Sequence, residues 1–226
     1  MDRQPKAFLK LQGSTLVEHA VRAVIPYCNE IVVGLRADDL EAGAKLLSKS
    51  FSWMKIRLVA GGEDRQETVA RLLEHVTRPL VLLHEVARPF VAPHLFRSVL
   101  AAGEETGAAA LFVPLRTRDG LALADNGVLR TTLHRNQVVT LQTPHAYSRE
   151  MLIDAHVRAC EGNRREESTV ALMDWAGYAV RLVPGCEDNF KITYPEDLER
   201  AQAVAAQRHI AISMPAAHNA VFSTHR

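Results

Sequence analysis

The stretch LVLLHEVARPFV, residues 80–91, decides how the rest of the chain is read. Leu80 to Leu83 form an unbroken apolar run, short enough for a strand covered on both faces. With no linker it passes into His84, Glu85, Val86, Ala87, Arg88 and Pro89. A buried strand that ends on an acid and a base three residues apart delivers charge to the edge of a sheet. In open parallel sheets, that carboxyl edge is where ligands bind.

Working outward, helical and strand patterns alternate. STLVEHAVRAVIPYC carries one apolar stripe at helical spacing, with Ser14 as its expected N-cap. EIVVGL and KIRLVAGG read as strands, DDLEAGAKLLSKSF and EDRQETVARLLEHV as helices. PHLFRSVLAAGEETG is a further helix, and AAALFVPL the next strand. This rhythm predicts an α/β fold with a mostly parallel sheet and helices on both faces. It breaks over residues 115–137, where Asp125-Asn126-Gly127 sits between alternating apolar residues, the signature of a β-hairpin. A hairpin inserted in an α/β domain reads as an arm that meets a partner. SREMLIDAHVRAC and TVALMDWAG return to helix, YAVRLVPG and NFKIT read as strands, and Thr193-Tyr194-Pro195-Glu196 reads as a capping box opening the last helix. The domain is expected over residues 1–209, with a loose tail over 210–226.

Bulk properties narrow the function. The chain has 226 residues, 27 basic and 26 acidic, so charge suggests neither a nucleic-acid binder nor an acidic tail protein. Its three cysteines, Cys28, Cys160 and Cys186, are far apart and lack metal spacing. They fit reduced thiols in the cytoplasm. No apolar run approaches the roughly 18 residues of a membrane span, and residues 1–15 lack the apolar region of a signal peptide. No G-x-G-x-x-G, Walker loop or G-x-S-x-G is present. His84-Glu85 resembles the start of a zinc-binding His-Glu-x-x-His, but Arg88 stands where the second histidine belongs, and the segment follows a strand.

Three polar clusters fall at expected strand ends: Gly61-Gly62-Glu63-Asp64-Arg65, His84 to Arg88, and Lys191. In a parallel sheet they rim one crevice. A carboxylate holds a hard cation through oxygen, and arginine forks a phosphate, so Glu85 and Arg88 read as a metal-and-phosphate handle. Taken alone, the same two residues are as readily a solvated pair.

Five segments in order, PKAFLKLQG, GGEDRQETV, VLLHEVARPF, HRNQVVTLQTP and DNFKITYPEDLERA, resemble the 2-C-methyl-D-erythritol 4-phosphate cytidylyltransferases, from about Gln4 to about Ala205. The resemblance implies a Rossmann-like nucleotidyltransferase fold and a homodimer joined through the hairpin arm. It implies Mg²⁺-dependent transfer of CMP from CTP to a sugar-alcohol phosphate in isoprenoid precursor synthesis. It places Lys6 on the lysine that neutralises charge at the α-phosphate. Gly62, Glu63, Arg65 and Thr68 fall on the segment holding cytidine, and Val86 is carried with them. Glu85 falls on the metal-binding aspartate, and Arg88 on the arginine after it. Arg135 falls on an arginine offered across the dimer. Thr143 and Lys191 fall on groups around the substrate phosphate.

Departures from the family set further expectations. The family opens with a central strand and an Ala-Ala-Gly-x-Gly-x-Arg loop that wraps the triphosphate; Met1 to Lys6 stand in that place here. A gap in the sheet is expected, and two explanations compete: a start placed too late, or a truncated, inactive dimeric relic. Glu85 replaces aspartate, Val86 replaces alanine, and Ala7 replaces glutamine. Glu167-Ser168-Thr169 stands for an acceptor-side Thr-Asp-Glu/Asp, and Arg118 or Thr117 for a hairpin threonine. These leave another polyol phosphate, such as ribitol 5-phosphate, as an alternative acceptor.

Overall fold

The computed structural model describes residues 5–208, so the expected tail over 210–226 lies outside the described residues. A short ribbon, β1 (Lys10–Leu11) and β2 (Ser14–Thr15), turns through Gln12 and Gly13, both at positive φ. It feeds α1 (Leu16–Val24). The cap of α1 is Thr15 rather than Ser14. Glu18 lies three residues on and completes a reciprocal box, taking the Thr15 N–H at 2.7 Å.

β3 (Ile31–Leu35) and β4 (Ile56–Ala60) pair in parallel, with α2 (Leu40–Ser50) as the crossover. Then come α3 (Arg65–Leu73), β5 (Leu80–Leu83), α4 (Pro93–Thr106) and β6 (Ala108–Pro114). The hairpin is β7 (Leu121–Asp125) and β8 (Val128–Leu133), turned by Asn126 and Gly127 at positive φ, as the sequence pattern requires. The chain closes with β9 (Val139–Ser148), α5 (Arg149–Glu161), α6 (Thr169–Trp175), β10 (Arg181–Pro184) and α7 (Pro195–Arg208).

The larger sheet has the order β10-β6-β9-β5. β10 runs parallel to β6, but β9 lies antiparallel between β6 and β5. β9 has no counterpart in the sequence reading, because its buried polar residues mask the strand signal. Gln142, Thr143 and His145 are all buried, yet each is hydrogen-bonded: Gln142 to Cys186, Thr143 to Asn189, His145 to Tyr147. Two further expectations are corrected. NFKIT forms no strand; the Ile192 N–H reaches the Ala87 carbonyl at 2.8 Å, a single docking bond rather than a ladder. The carboxylate that caps α7 is Asp197, which accepts from the N–H groups of Thr193 and Tyr194 at 2.9 and 2.8 Å. Pro195 takes the first helical position, which puts Asp197, not Glu196, third.

The expected gap is present. Among the described residues, no strand joins β3 to β5, and their free edges face each other across a cavity of about 870 Å³. Val21, Val33, Leu72, Leu80, Leu82 and Leu100 are among its lining. Elsewhere packing is close. Gly103 of α4 lies so near β9 that an added Cβ would stand 2.6 Å from the Ala146 Cβ. Gly103→Leu is expected to cost about 1–3 kcal/mol by overpacking, measured as a lower urea midpoint; an unchanged midpoint would contradict this packing.

Candidate active site

The β5–β9 register sets Leu83 opposite His145, and so brings the next residues of β5 past Thr143. The Glu85 N–H donates to the Thr143 hydroxyl at 3.2 Å. The chain then turns, with Arg88 N–H on the Glu85 carbonyl at 3.1 Å, and Ala87 anchors Ile192. These bonds bring Glu85, Arg88 and Lys191 together, as the sequence clusters suggested.

Glu85 is ringed by three cations. The Lys191 ammonium donates to Oε1 at 2.8 Å, and Arg65 donates to the same oxygen. Arg88 Nε donates to Oε2 at 3.3 Å. Burial raises the carboxyl's affinity for a proton, but Arg65, Lys191 and Arg88 outweigh it and hold the pKa at about 2. Arg88 is itself deeply placed, its side chain 11% exposed. One N–H of Nη1 goes to the Asn189 carbonyl at 2.7 Å and one of Nη2 to the Leu141 carbonyl at 3.4 Å. The guanidinium therefore ties Glu85 to the 189–193 segment, while one N–H on each terminal nitrogen is left over for a further acceptor.

The glycine turn before α3 is closed by its own helix. Gly62 N–H donates to the Thr68 hydroxyl at 2.9 Å, and Glu63 N–H to Glu67 at 2.8 Å. A Cβ on Gly62 would lie 2.5 Å from the Glu67 side chain, so this position needs glycine. Asp64 caps the helix through the Glu67 N–H, aiming Arg65 at Glu85. The Arg65 Nε is buried with no hydrogen-bond partner.

The other expected site residues are placed differently. Thr143 is 2% exposed and serves Glu85 from beneath. Val86 packs its side chain against the apolar cluster of Val17, Val21 and Ile31. Lys6 is exposed, and its charge is felt by Asp197 at the start of α7. Arg135 is exposed on the arm, donating to the Arg118 and Asp119 carbonyls at 3.1 and 3.4 Å, and joins no other site residue within the chain. Asn189 was overlooked. It is fully buried, with its amide on the Thr143 carbonyl at 2.8 Å and its own carbonyl on Arg88. Its signal in the sequence is its place in DNFKITYPEDLERA, between acids and an apolar run.

Three histidines, His84, His145 and His156, are held below the ordinary imidazole value. Burial pushes His84 down to about 4, His145 to about 3 and His156 to about 4. Their folded values lie below the ordinary 6.5, so the unfolded chain takes up protons first as pH falls. Stability is full above about pH 6.5 and is lost on the way to about 4. Glu85 adds a second loss between its ordinary 4.5 and about 2. The expected result is a melting temperature lower at about pH 5 than at about pH 7. Equal values would contradict neutral buried imidazoles.

A metal fits this site in one way only. Among the described residues no group of three acidic, histidine or cysteine side chains could cage an ion. One carboxylate is nonetheless enough for Mg²⁺ that arrives on substrate phosphates.

An α/β sheet that sets a carboxylate among three cations at the carboxyl end of a strand suits nucleotidyl transfer, which rests on positioned charge. The 2-C-methyl-D-erythritol 4-phosphate cytidylyltransferase family model matches residues 1–207, and the chain belongs to that family. A protein of that description from Deinococcus radiodurans is 37% identical over 201 residues, covering 88% of this chain and 82% of its own. The crystal structure of the 2-C-methyl-D-erythritol 4-phosphate cytidylyltransferase from Thermus thermophilus matches with a TM-score of 0.76 at 35% identity, over 89% of this chain and 94% of that one. A 4-diphosphocytidyl-2C-methyl-D-erythritol synthase from Anaerococcus prevotii shares the fold, with a TM-score of 0.80 at 23% identity over 88% of this chain and 93% of that one.

Proposed function

We propose that the chain transfers CMP from CTP to 2-C-methyl-D-erythritol 4-phosphate, in isoprenoid precursor synthesis. A phosphate oxygen of the acceptor attacks the α-phosphorus, the bond to the β-phosphate breaks, and pyrophosphate leaves. The carrying observation is the convergence of Arg65, Arg88 and Lys191 on Glu85 in a chain of this family. Such transfer needs positioning and cations more than covalent help. Lys191 and Lys6 are the exposed cations able to meet phosphate oxygens. Arg65, leading from the glycine turn, couples the nucleotide segment of Gly62, Glu63 and Thr68 to Glu85. Arg88 and Thr143 hold Glu85 in place. Glu85 and the nucleotide would hold Mg²⁺, which would neutralise phosphate charge.

The protein works as a homodimer through the hairpin arm. Leu123, Val128 and Leu129 on the arm are 55%, 61% and 61% exposed, apolar area that a second copy would cover. Arg135 is then offered to the partner's site. The described residues form no helix long and apolar enough to cross a membrane, and Cys28, Cys160 and Cys186 are free thiols, which suits the cytoplasm. Another polyol phosphate is the second reading, favoured by Glu167, an exposed acid on the acceptor-side loop. Pyrophosphate release with CTP, Mg²⁺ and a panel of polyol phosphates tests both. Release with methylerythritol phosphate alone supports the first. Release with ribitol 5-phosphate instead supports the second, and release with none overturns both.

A further inference from the structure

We infer that Gln66 is a positioning residue that fixes the loop between α5 and α6 as a wall of the reaction cleft. Its carboxamide reads the loop backbone in both directions. The Nε2 donates to the Arg164 carbonyl at 3.0 Å, and the Oε1 accepts the Glu166 N–H at 2.9 Å. Asp64, two residues earlier, pairs with Arg165 at 3.2 Å. Within the loop Arg164 bridges to Glu166, and Ser168 caps α6 through the Ala171 N–H. The loop is thus tied to the first turn of α3 at three points. Gln66 follows Arg65, whose guanidinium reaches Glu85. This turn of helix is a strut: one residue reaches the charged centre, and the next holds the loop that runs through Glu167 into Ser168 and Thr169 at the start of α6.

The inference rests on the reading of this cleft as the place where CTP and a phosphorylated alcohol meet. Without the clamp, Glu167 and Ser168 drift from the cleft while the charged centre stays whole. The acceptor then binds less well, and the chemical step is little changed. Gln66→Met is the test, because methionine keeps the length and loses both hydrogen bonds. KM for the acceptor is expected to rise about tenfold, with kcat within about twofold. The loop exposes Arg164 and Arg165, so trypsin cleavage after them, followed by mass spectrometry, reads the clamp without turnover. Cleavage is expected to quicken about tenfold in the variant. An unchanged cleavage rate overturns the inference. So does a fall in kcat with KM unchanged, the mark of a purely structural role. A wild type that releases no pyrophosphate overturns the chemistry proposed above and the cleft role with it, while the cleavage ratio still decides whether Gln66 holds the loop.

Discussion

Glu85→Gln lowers pyrophosphate release by about 10²–10³-fold, the scale of losing one preorganised charge at a reacting phosphate. Glutamine keeps the size of the side chain and removes the charge that holds Arg65, Arg88 and Lys191 together. It cannot serve a hard cation as a carboxylate does, so added Mg²⁺ does not restore the rate. The variant also loses stability. Arg88 stays behind, 11% exposed and facing a neutral amide, whereas Arg65 and Lys191 can turn to water. The cost is up to about 3 kcal/mol by urea titration, the low end for a buried pair that loses one member. Glu85→Asp keeps the charge and is expected to keep turnover within about tenfold. Full activity in the glutamine variant would remove Glu85 from the mechanism.

Lys191→Ala lowers turnover on a similar scale, about 10²–10³-fold, but with a different profile. The lysine is 41% exposed, so its removal leaves urea stability within about 0.5 kcal/mol of wild type. Glu85 keeps Arg65 and Arg88, and the Mg²⁺ dependence of the residual rate stays that of wild type. Stability lost together with activity would mean that Lys191 is chiefly a structural partner of Glu85. The pair of variants separates a cation that meets substrate from an anion that organises cations.

What the sequence disclosed follows from what each residue touches. The apolar run Leu80–Leu83 is a strand whose side chains pack to both faces, Val81 and Leu83 into one core cluster and Leu82 into another, while all four stay half-buried beside the cavity; Asn126-Gly127 turns the arm by its own backbone preference. Both are local signals. β9 was hidden because its polar residues are satisfied by partners distant in sequence, such as Asn189, 46 residues from Thr143. The 189–193 segment looked like a strand for the opposite reason: its apolar residues Phe190 and Ile192 pack into a core cluster without joining a ladder. Glu85 and Lys191 were legible as site residues through their motifs. That Arg88 binds protein carbonyls, and that Asn189 lies beneath it, depends on pairings across 53 and 101 residues, which no local pattern records.

The cavity between β3 and β5 bears on how the molecule comes apart. A continuous sheet would tie both halves into one cooperative unit through its ladder. Here β3, β4 and α2 connect to the four-stranded sheet through side-chain packing of α1 and α3, with no backbone ladder across the seam among the described residues. Such a boundary favours subglobal opening. Amides of β3 and β4 should therefore exchange with solvent deuterium as one group at a free energy below that of β6 and β9, so that the protein unfolds as two foldons rather than one.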